Sequence, residues 1–364
     1  MLETLREFAL AQLAAQDELE ELRRRHAQVY GMLAARWNAG KPVQSVDTGL
    51  SIRWASDELV NLQAAMRWAI ERQEAAVIEP IYTLWSISLI MRGLTADLIR
   101  LNQQILDLGG MAESDLAIQV RALADLGWFA ASRGDAEQAL AYGVRCLAIY
   151  QRLNNPLGIA EIQRLLAQAA LLNGNYPKAL ERLEESLALC RREEDPGGIA
   201  YSLLDLGSYY LACGDGARAD QLFQECLILF RQLDGVRALI RVPAHLVQTA
   251  ILLGDTELAR ARLNDCLALE TLWLSEGHTI VILNAAALLA EATGQLERAA
   301  HLFGCGMLVS EGAFGLFPGA RDLEAQAMAR TRAALGEEAW SAAVATGRAL
   351  TLEQAIEEAR VLCG

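Results

Sequence analysis

The sequence predicts an all-α fold, built from antiparallel helix pairs that repeat about every 40 residues and stack into a superhelix. Three observations indicate this fold. A helix-breaking glycine followed by Asp, Asn or Gln returns at a constant spacing along the chain. An alanine follows each of these glycines by five residues. The hydrophobic share of 53% is mostly Ala and Leu, and only 7 residues are proline, which favours helix nearly throughout.

The glycine pairs are predicted hinges between two helices. A glycine just after a helix can take the left-handed conformation that closes the last turn, and an Asp or Asn that follows it can cap the next helix with its side-chain oxygen. The five hinges are Gly134-Asp135, Gly174-Asn175, Gly214-Asp215, Gly254-Asp255 and Gly294-Gln295. Each unit is therefore a helix, a hinge, a second helix and a polar connection.

Small and large apolar residues recur at fixed positions of the unit. The alanines are Ala139, Ala179, Ala219, Ala259 and Ala299. Seven residues before each hinge glycine stand Gly127, Ala167, Gly207, Val247 and Ala287. Thirteen residues after it stand Leu147, Leu187, Leu227, Leu267 and Met307. This alternation predicts two helices that cross closely at small side chains and pack on the next pair.

One unit carries a recognisable motif. The stretch LDLGSYYLACGDGARADQLFQECL, residues 203–226, resembles a tetratricopeptide repeat through Leu206-Gly207, Tyr210, Gly214, Ala219 and Phe223. The resemblance implies a right-handed superhelix whose first helices line an inner groove. The usual period is about 34 residues, so we expect the extra residues in the connections between units. The fourth and fifth units keep little beyond the glycine and the alanine.

The repeat array is expected to span residues 76–310, with a degenerate unit around Gly93. Residues 1–75 would supply N-terminal helices. The stretch FGLFPGARDLEAQ breaks the pattern, and residues 311–364 are expected to form capping helices, near 320–335 and 337–361.

The ends of the chain carry a second resemblance. MLETLREFALAQL, DELVNLQAAMRWAIER and ALGEEAWSAAVATGRALTLEQAIEEA together resemble the C-terminal sensor region of bacterial STAND-class NTPase regulators, which include LuxR-type transcription activators. The resemblance implies that residues 1–75 hold the end of a winged-helix-like segment and linker helices. The sequence has no G-x-x-x-x-G-K-[ST] loop for a nucleotide's phosphates. We therefore expect the repeat region of such a regulator alone, without its NTPase or DNA-binding parts.

Charge and composition exclude several partners. A net charge of −14 repels nucleic acid and anionic membranes. The densest basic cluster, Arg23-Arg24-Arg25-His26, follows acidic residues, so Glu20–Arg24 and Glu21–Arg25 are predicted helical pairs on a solvated face. The longest apolar run, Ile81–Met91, is too short to cross a bilayer and is expected to be a buried helix.

The sequence predicts neither a cofactor nor a metal site. Seven cysteines form no C-x-x-C pair, and their odd number prevents complete pairing, so we expect reduced thiols in the cytoplasm. The four histidines are scattered, and neither H-E-x-x-H nor G-x-S-x-G occurs. Catalysis is therefore not expected.

Binding in the inner groove is the leading hypothesis. The resemblance to tetratricopeptide repeats implies groove positions two, three, six, ten and thirteen residues before each hinge glycine. Their polar and aromatic members are Arg121, Trp128, Glu161, Arg164, Gln168, Tyr201, Ser208, Arg241, Gln248 and Asn284, with His245 one residue from the stripe. Three arginines on one wall would suit a carboxylate. For each residue the alternative is packing between helices or plain solvation.

The sequence thus predicts a non-enzymatic sensor that binds a protein segment, a peptide or a small inducer in its concave groove. By the resemblance, such binding regulates an attached or partner NTPase or transcription regulator. The alternative is a structural scaffold that self-associates as a homo-oligomer and has no ligand groove.

Overall fold

The computed structural model describes residues 18–38, 49–91, 95–107, 116–233, 236–269, 276–309 and 318–363. Within these ranges the chain forms eighteen helices and no strand, which confirms the all-α prediction. The opening segment MLETLREFALAQL and Gly93 lie outside the described residues.

Five helices precede the regular units. They are α1 (Leu19–Asn38), α2 (Gly49–Asp57), α3 (Leu59–Arg72), α4 (Ala75–Met91) and α5 (Thr95–Asp107). The apolar run of the sequence lies in α4, which contacts the other four and buries Ile81, Tyr82 and Leu84, so the predicted buried helix is confirmed. Of the described helices, none is both long and apolar enough to cross a membrane.

The basic cluster on α1 is salt-paired and exposed, with one difference from the prediction. Arg25 bonds Glu21 at 2.6 Å as expected. Arg24 also pairs with Glu21, at 2.7 Å. The predicted Glu20–Arg24 pair is wrong, because Glu20 accepts a hydrogen bond from the indole of Trp68 at 2.9 Å and pairs with Arg72 at 2.8 Å. Glu20 therefore ties α1 to α3.

Five units of two helices each follow. Their helices are α6 (Leu116–Ser132) and α7 (Ala136–Arg152), α8 (Pro156–Leu172) and α9 (Tyr176–Arg192), α10 (Pro196–Ala212) and α11 (Gly216–Gln232), α12 (Val236–Leu252) and α13 (Thr256–Leu269), and α14 (Glu276–Ala292) and α15 (Leu296–Val309). Every hinge glycine is left-handed, with φ between +70° and +82°. The side chains of Asp135, Asn175, Asp215 and Asp255 each accept the backbone N–H three residues on. The predicted hinges are confirmed.

The helices of a unit cross where the sequence places small residues. All five alanines are 0% exposed. A β-carbon at Gly207 would lie 2.6 Å from the Phe223 ring of the same unit, and one at Gly127 would lie 2.6 Å from Leu165 of the next unit. At these crossings no larger side chain fits without displacing its neighbour.

The first helices of the units form the inner layer of the array. We call α6, α8, α10, α12 and α14 the inner helices. Each contacts its own partner, and the first four also contact the inner helix of the next unit. The second helix α9 buries a narrow stripe, whereas α8 buries residues around most of its circumference. The inner helices are thus covered from more than one side.

Three helices close the chain: α16 (Pro318–Leu335), α17 (Glu337–Ala349) and α18 (Leu352–Arg360). The single helix expected over 337–361 is two, because Leu350 is extended and Thr351 opens a new helix through a capping box with Gln354. Both α17 and α18 pack on the last unit, while α16 also reaches back to α8 and α10.

Candidate functional site: the inner helices

Arg164 on α8 lies at the centre of the candidate site. Its Nε donates to Oδ2 of Asp205 on α10 at 2.5 Å, and both side chains are buried. Its guanidinium carbon is 5.5 Å from the Trp128 ring centroid and 4.9 Å from that of Tyr201. Cation–π contacts on two rings and one ion pair fix the arginine in place. Three successive inner helices are joined through it.

Charges alternate along the inner helices on either side of this pair. Burial lowers the pKa of Arg121 on α6, but the nearby carboxylates of Asp125 on α6 and Glu161 on α8 outweigh this effect. The pKa of Arg121 is therefore raised. Further along, the charge of Arg241 on α12 acts on Asp205 and opposes the burial that raises the pKa of this carboxyl. We call Asp125, Arg121, Glu161, Arg164, Asp205 and Arg241 the charge ladder.

The buried pair at the centre of the ladder is strongly perturbed. Burial raises the pKa of Asp205, and the nearby Arg164 only partly offsets this. The pKa of Arg164 is also raised, because the charge on Asp205 outweighs the opposing effect of burial. The second oxygen of Asp205, Oδ1, is buried and has no hydrogen-bond partner. A ligand reaching this position would have to donate a hydrogen bond.

Arg121 connects the ladder to the N-terminal helices. Its guanidinium carbon lies 5.8 Å from the centroid of the Tyr82 ring on α4. The hydroxyl of Tyr82 lies 2.7 Å from Oδ1 of Asn102 and 2.5 Å from Oδ2 of Asp125. Burial, followed by the charge on Asp125, raises the pKa of Tyr82 well above its usual value, so Tyr82 is a neutral donor. Nε of Arg121 is buried without a hydrogen-bond partner.

His245 on α12 is a neutral, packed imidazole. It stacks on the Phe223 ring at 5.1 Å with 11° between the planes, and Nδ1 lies 2.9 Å from Oε1 of Gln248. That oxygen only accepts, so Nδ1 carries the proton. Burial, and then the charge on Arg241, lower the pKa of His245 to about 4. Its Nε2 is buried without a partner and is therefore a second unused acceptor.

The predicted groove residues fall into two sets. Half-buried members, which a ligand could touch at the present surface, are Arg121, Trp128, Glu161, Tyr201 and Arg241. Buried members are Arg164, Gln168, Ser208, His245, Gln248 and Asn284.

The structure joins some of these residues and separates others. Trp128, Arg164 and Tyr201 meet in one stack, and His245 meets Gln248. The hydroxyl of Ser208 donates to the backbone of Leu204 at 2.9 Å, within its own helix. Asn284 lies apart from the ladder and bonds Glu324 of α16.

The carboxylates of the charge ladder on α6 and α10 were not among the residues predicted from the sequence. Asp125 and Asp205 both stand nine residues before their hinge glycine, the position of His245 in the fourth unit. Leucine and alanine occupy this position in the other two units, which indicates a core site. Two acidic residues at a core position of a repeat were the available signal.

The arrangement is suited to recognition. The three arginines of the ladder are matched by its three carboxylates, so the inner helices present polar pairs and aromatic rings with no local excess of charge.

Nowhere in the described ranges do three or more His, Cys, Asp or Glu side chains gather as a metal site would require. All seven cysteines are free thiols, and burial raises the pKa of Cys146 and Cys226.

Comparisons with known proteins agree with the repeat architecture. Residues 119–192 and 158–232 match the model of the tetratricopeptide repeat family. Such repeats typically mediate protein–protein interaction. No curated protein matches the sequence.

Solved structures resemble the fold at low sequence identity. The crystal structure of a Rap protein complexed with competence and sporulation factor has 13% identity and a TM-score of 0.59, covering 94% of this chain and 100% of that chain. BtubC (BKLC) from P. vanneervenii has 18% identity and a TM-score of 0.45, covering 67% of this chain and 92% of that chain.

Proposed function

We propose that the chain is a recognition module that binds a protein segment or peptide, or a small inducer, against its inner helices. The observation that carries the proposal is the stack of Trp128, Arg164 and Tyr201 on three successive inner helices. The tetratricopeptide repeats at residues 119–232 support it, because such repeats typically bind other proteins. The fold shared with a Rap protein in complex with a factor is a further support.

The half-buried side chains of Trp128 and Tyr201 form the proposed contact surface. Trp128 and Tyr201 are only partly buried and are held by the buried guanidinium between them, so little side-chain entropy is lost when a ligand packs on their exposed parts. Aromatic and arginine side chains also dominate the energetics of protein interfaces. Arg121, Glu161 and Arg241 flank the rings and would set the orientation of the ligand through paired charges.

The proposed role of this binding is regulation in the cytoplasm. A ligand that prefers one arrangement of the array shifts a two-state equilibrium by the difference between its two affinities. The output would be an attached or partner NTPase or transcription regulator, as the resemblance of the terminal segments implies. In this proposal residues 1–75 link to that partner, 76–310 bind the ligand, and 311–364 complete the array.

A display selection tests the proposed function. A random peptide library is panned on the full chain, and the footprint of the enriched peptide is mapped by hydrogen exchange. Enriched peptides that slow exchange in α6, α8 and α10 support recognition. Failure to enrich any sequence would contradict recognition of a protein segment or peptide, and protection confined to α7, α9 and α11 would contradict binding at the inner helices. Sedimentation in the same buffer tests the scaffold alternative, which requires a concentration-dependent oligomer that protects the inner helices without peptide.

A further inference from the structure

The helix α16 lies along the inner helices rather than only at the end of the array. It contacts α8, α10 and α14, which belong to the second, third and fifth units. Near its start, Leu323 packs on the apolar cluster formed by α8 to α12. Nδ2 of Asn284 on α14 donates to Oε2 of Glu324 at 3.0 Å. One turn from its end, Arg330 donates twice to Glu291 of α14, at 2.7 and 3.0 Å.

Over the part of α16 whose side chains the structure describes, from Leu323 onward, the docked side is mostly small and polar. Its buried residues are Glu324, Ala327 and Thr331, and its larger apolar residues Leu323, Met328 and Leu335 are only partly buried. By contrast, each of the inner helices that α16 contacts, α8, α10 and α14, buries at least three leucines. Since apolar area is the main source of docking free energy, α16 is held less firmly than the helices it covers.

A carboxylate is buried in this contact. Glu324 is 7% exposed, so its carboxylate has lost most of its contact with water, which carries a desolvation cost. Asn284 donates to it from the other end of an amide whose Oδ1 lies over Gly306, where a β-carbon would approach that oxygen to 2.4 Å. The site beneath α16 is thus built for a carboxylate next to an apolar side chain.

We infer that α16 is an internal occupant of the inner helices, displaced when a helix from a partner protein takes its place. The fitting partner is an amphipathic helix that presents a leucine followed directly by a carboxylate, with a small residue three positions later, as Leu323, Glu324 and Ala327 do. This inference rests on the proposed function and names the shape of its ligand. Displacement of α16 returns the carboxylate of Glu324 to water, and this hydration offsets part of the free energy lost when α16 leaves the inner helices.

The probe for this inference is a labelled peptide of residues 318–335. In the wild-type chain the tethered α16 competes at high effective concentration, so the peptide binds weakly. Glu324→Lys in the full chain removes the acceptor of Asn284 and loosens α16. We expect this variant to bind the wild-type peptide at least about 10-fold more tightly in fluorescence anisotropy, a difference of about 1.4 kcal/mol. Gln326→Lys, on the exposed side of α16, is the matched control and binds as the wild type does.

Two further measurements keep the test decisive. Asn284→Ala in the loosened chain should reduce peptide affinity again, because the carboxylate of the peptide loses its donor. In the unmodified chain, amides of α16 should exchange hydrogen faster than those of α8 and α10. A loosened chain with intact α8 and α10 that binds no better than wild type overturns the inference, as does exchange in α16 as slow as in α10. Either result leaves the selection at Trp128 and Tyr201 as a separate test of the proposed function.

Discussion

Arg164 and Asp205 form an ion pair between neighbouring inner helices, with 2.5 Å between Nε and Oδ2 and both side chains buried. The two residues belong to successive units, so the pair locks the rotation of one unit against the next. Removing one partner of a buried pair leaves the other charge desolvated, which is costlier than losing the attraction alone.

Asp205→Ala should therefore destabilise the chain by about 3 to 5 kcal/mol, because Arg164 stays buried without its carboxylate. The free energy of unfolding is measured by urea denaturation followed by circular dichroism. Replacing both residues, Arg164→Met with Asp205→Leu, should recover most of the loss, since no charge is then buried. If Asp205→Ala alone is as stable as the wild type, the guanidinium of Arg164 must be in contact with water.

The alanine crossings predict a position-specific effect of side-chain size. Ala219→Leu should cost about 1 to 3 kcal/mol of stability, because the extra methyl and methylene groups force the two helices of the third unit apart. Ala217→Leu, two residues earlier on the exposed side of α11, is the matched control and should leave the denaturation midpoint nearly unchanged. Equal effects of the two variants would contradict the close crossing.

The hinge glycines predict an effect of backbone conformation alone. Gly174 has φ of +70°, and a β-carbon there would meet no atom within 4 Å. Gly174→Ala should therefore lose about 1 to 2 kcal/mol through left-handed strain, without any clash. Gly174→Asn should lose less, because asparagine tolerates this conformation. Thermal unfolding of the two variants compares these costs, and an alanine variant as stable as wild type would refute the hinge.

His245 predicts a pH dependence of stability. Its pKa of about 4 in the folded chain lies below its ordinary value of 6.5, so the unfolded chain binds a proton first as pH falls. Its contribution is complete above pH 6.5 and is lost between pH 6.5 and 4. The loss amounts to about 3 kcal/mol over that window. The difference between the free energies of unfolding of wild type and His245→Gln, measured by urea titration, should shrink by this amount from pH 7.5 to pH 4. A difference that stays constant would show that His245 is exposed to water.

Much of the fold could be predicted because its signals are local and repeated. The hinge at Gly174-Asn175 and the crossing at Ala179 depend on neighbours within a few residues, and five copies reinforce each signal. The break at Thr351 was also local, but its capping box occurs once and lay inside an otherwise helical pattern.

The pairings of the site could not be predicted in the same way. Arg164 and Asp205 are 41 residues apart in sequence, and their contact depends on how one unit rotates against the next. The position of α16 depends on a return of the chain across three units, which no periodicity encodes. The sequence could place Arg164 and Asn284 on inner helices, but it could not show that Asp205 and Glu324 are their partners.

We propose that the inner helices recognise a protein segment at the stack of Trp128, Arg164 and Tyr201. The most direct measurement is a fluorescence anisotropy titration of a display-selected peptide against the wild-type chain and the double variant Trp128→Leu, Tyr201→Leu. Tyr176→Leu on the second helix α9 is the matched control. We predict at least a 10-fold loss of affinity in the double variant, about 1.4 kcal/mol, and none in the control. Equal affinity of all three chains, each with a wild-type helical signal, would contradict the claim.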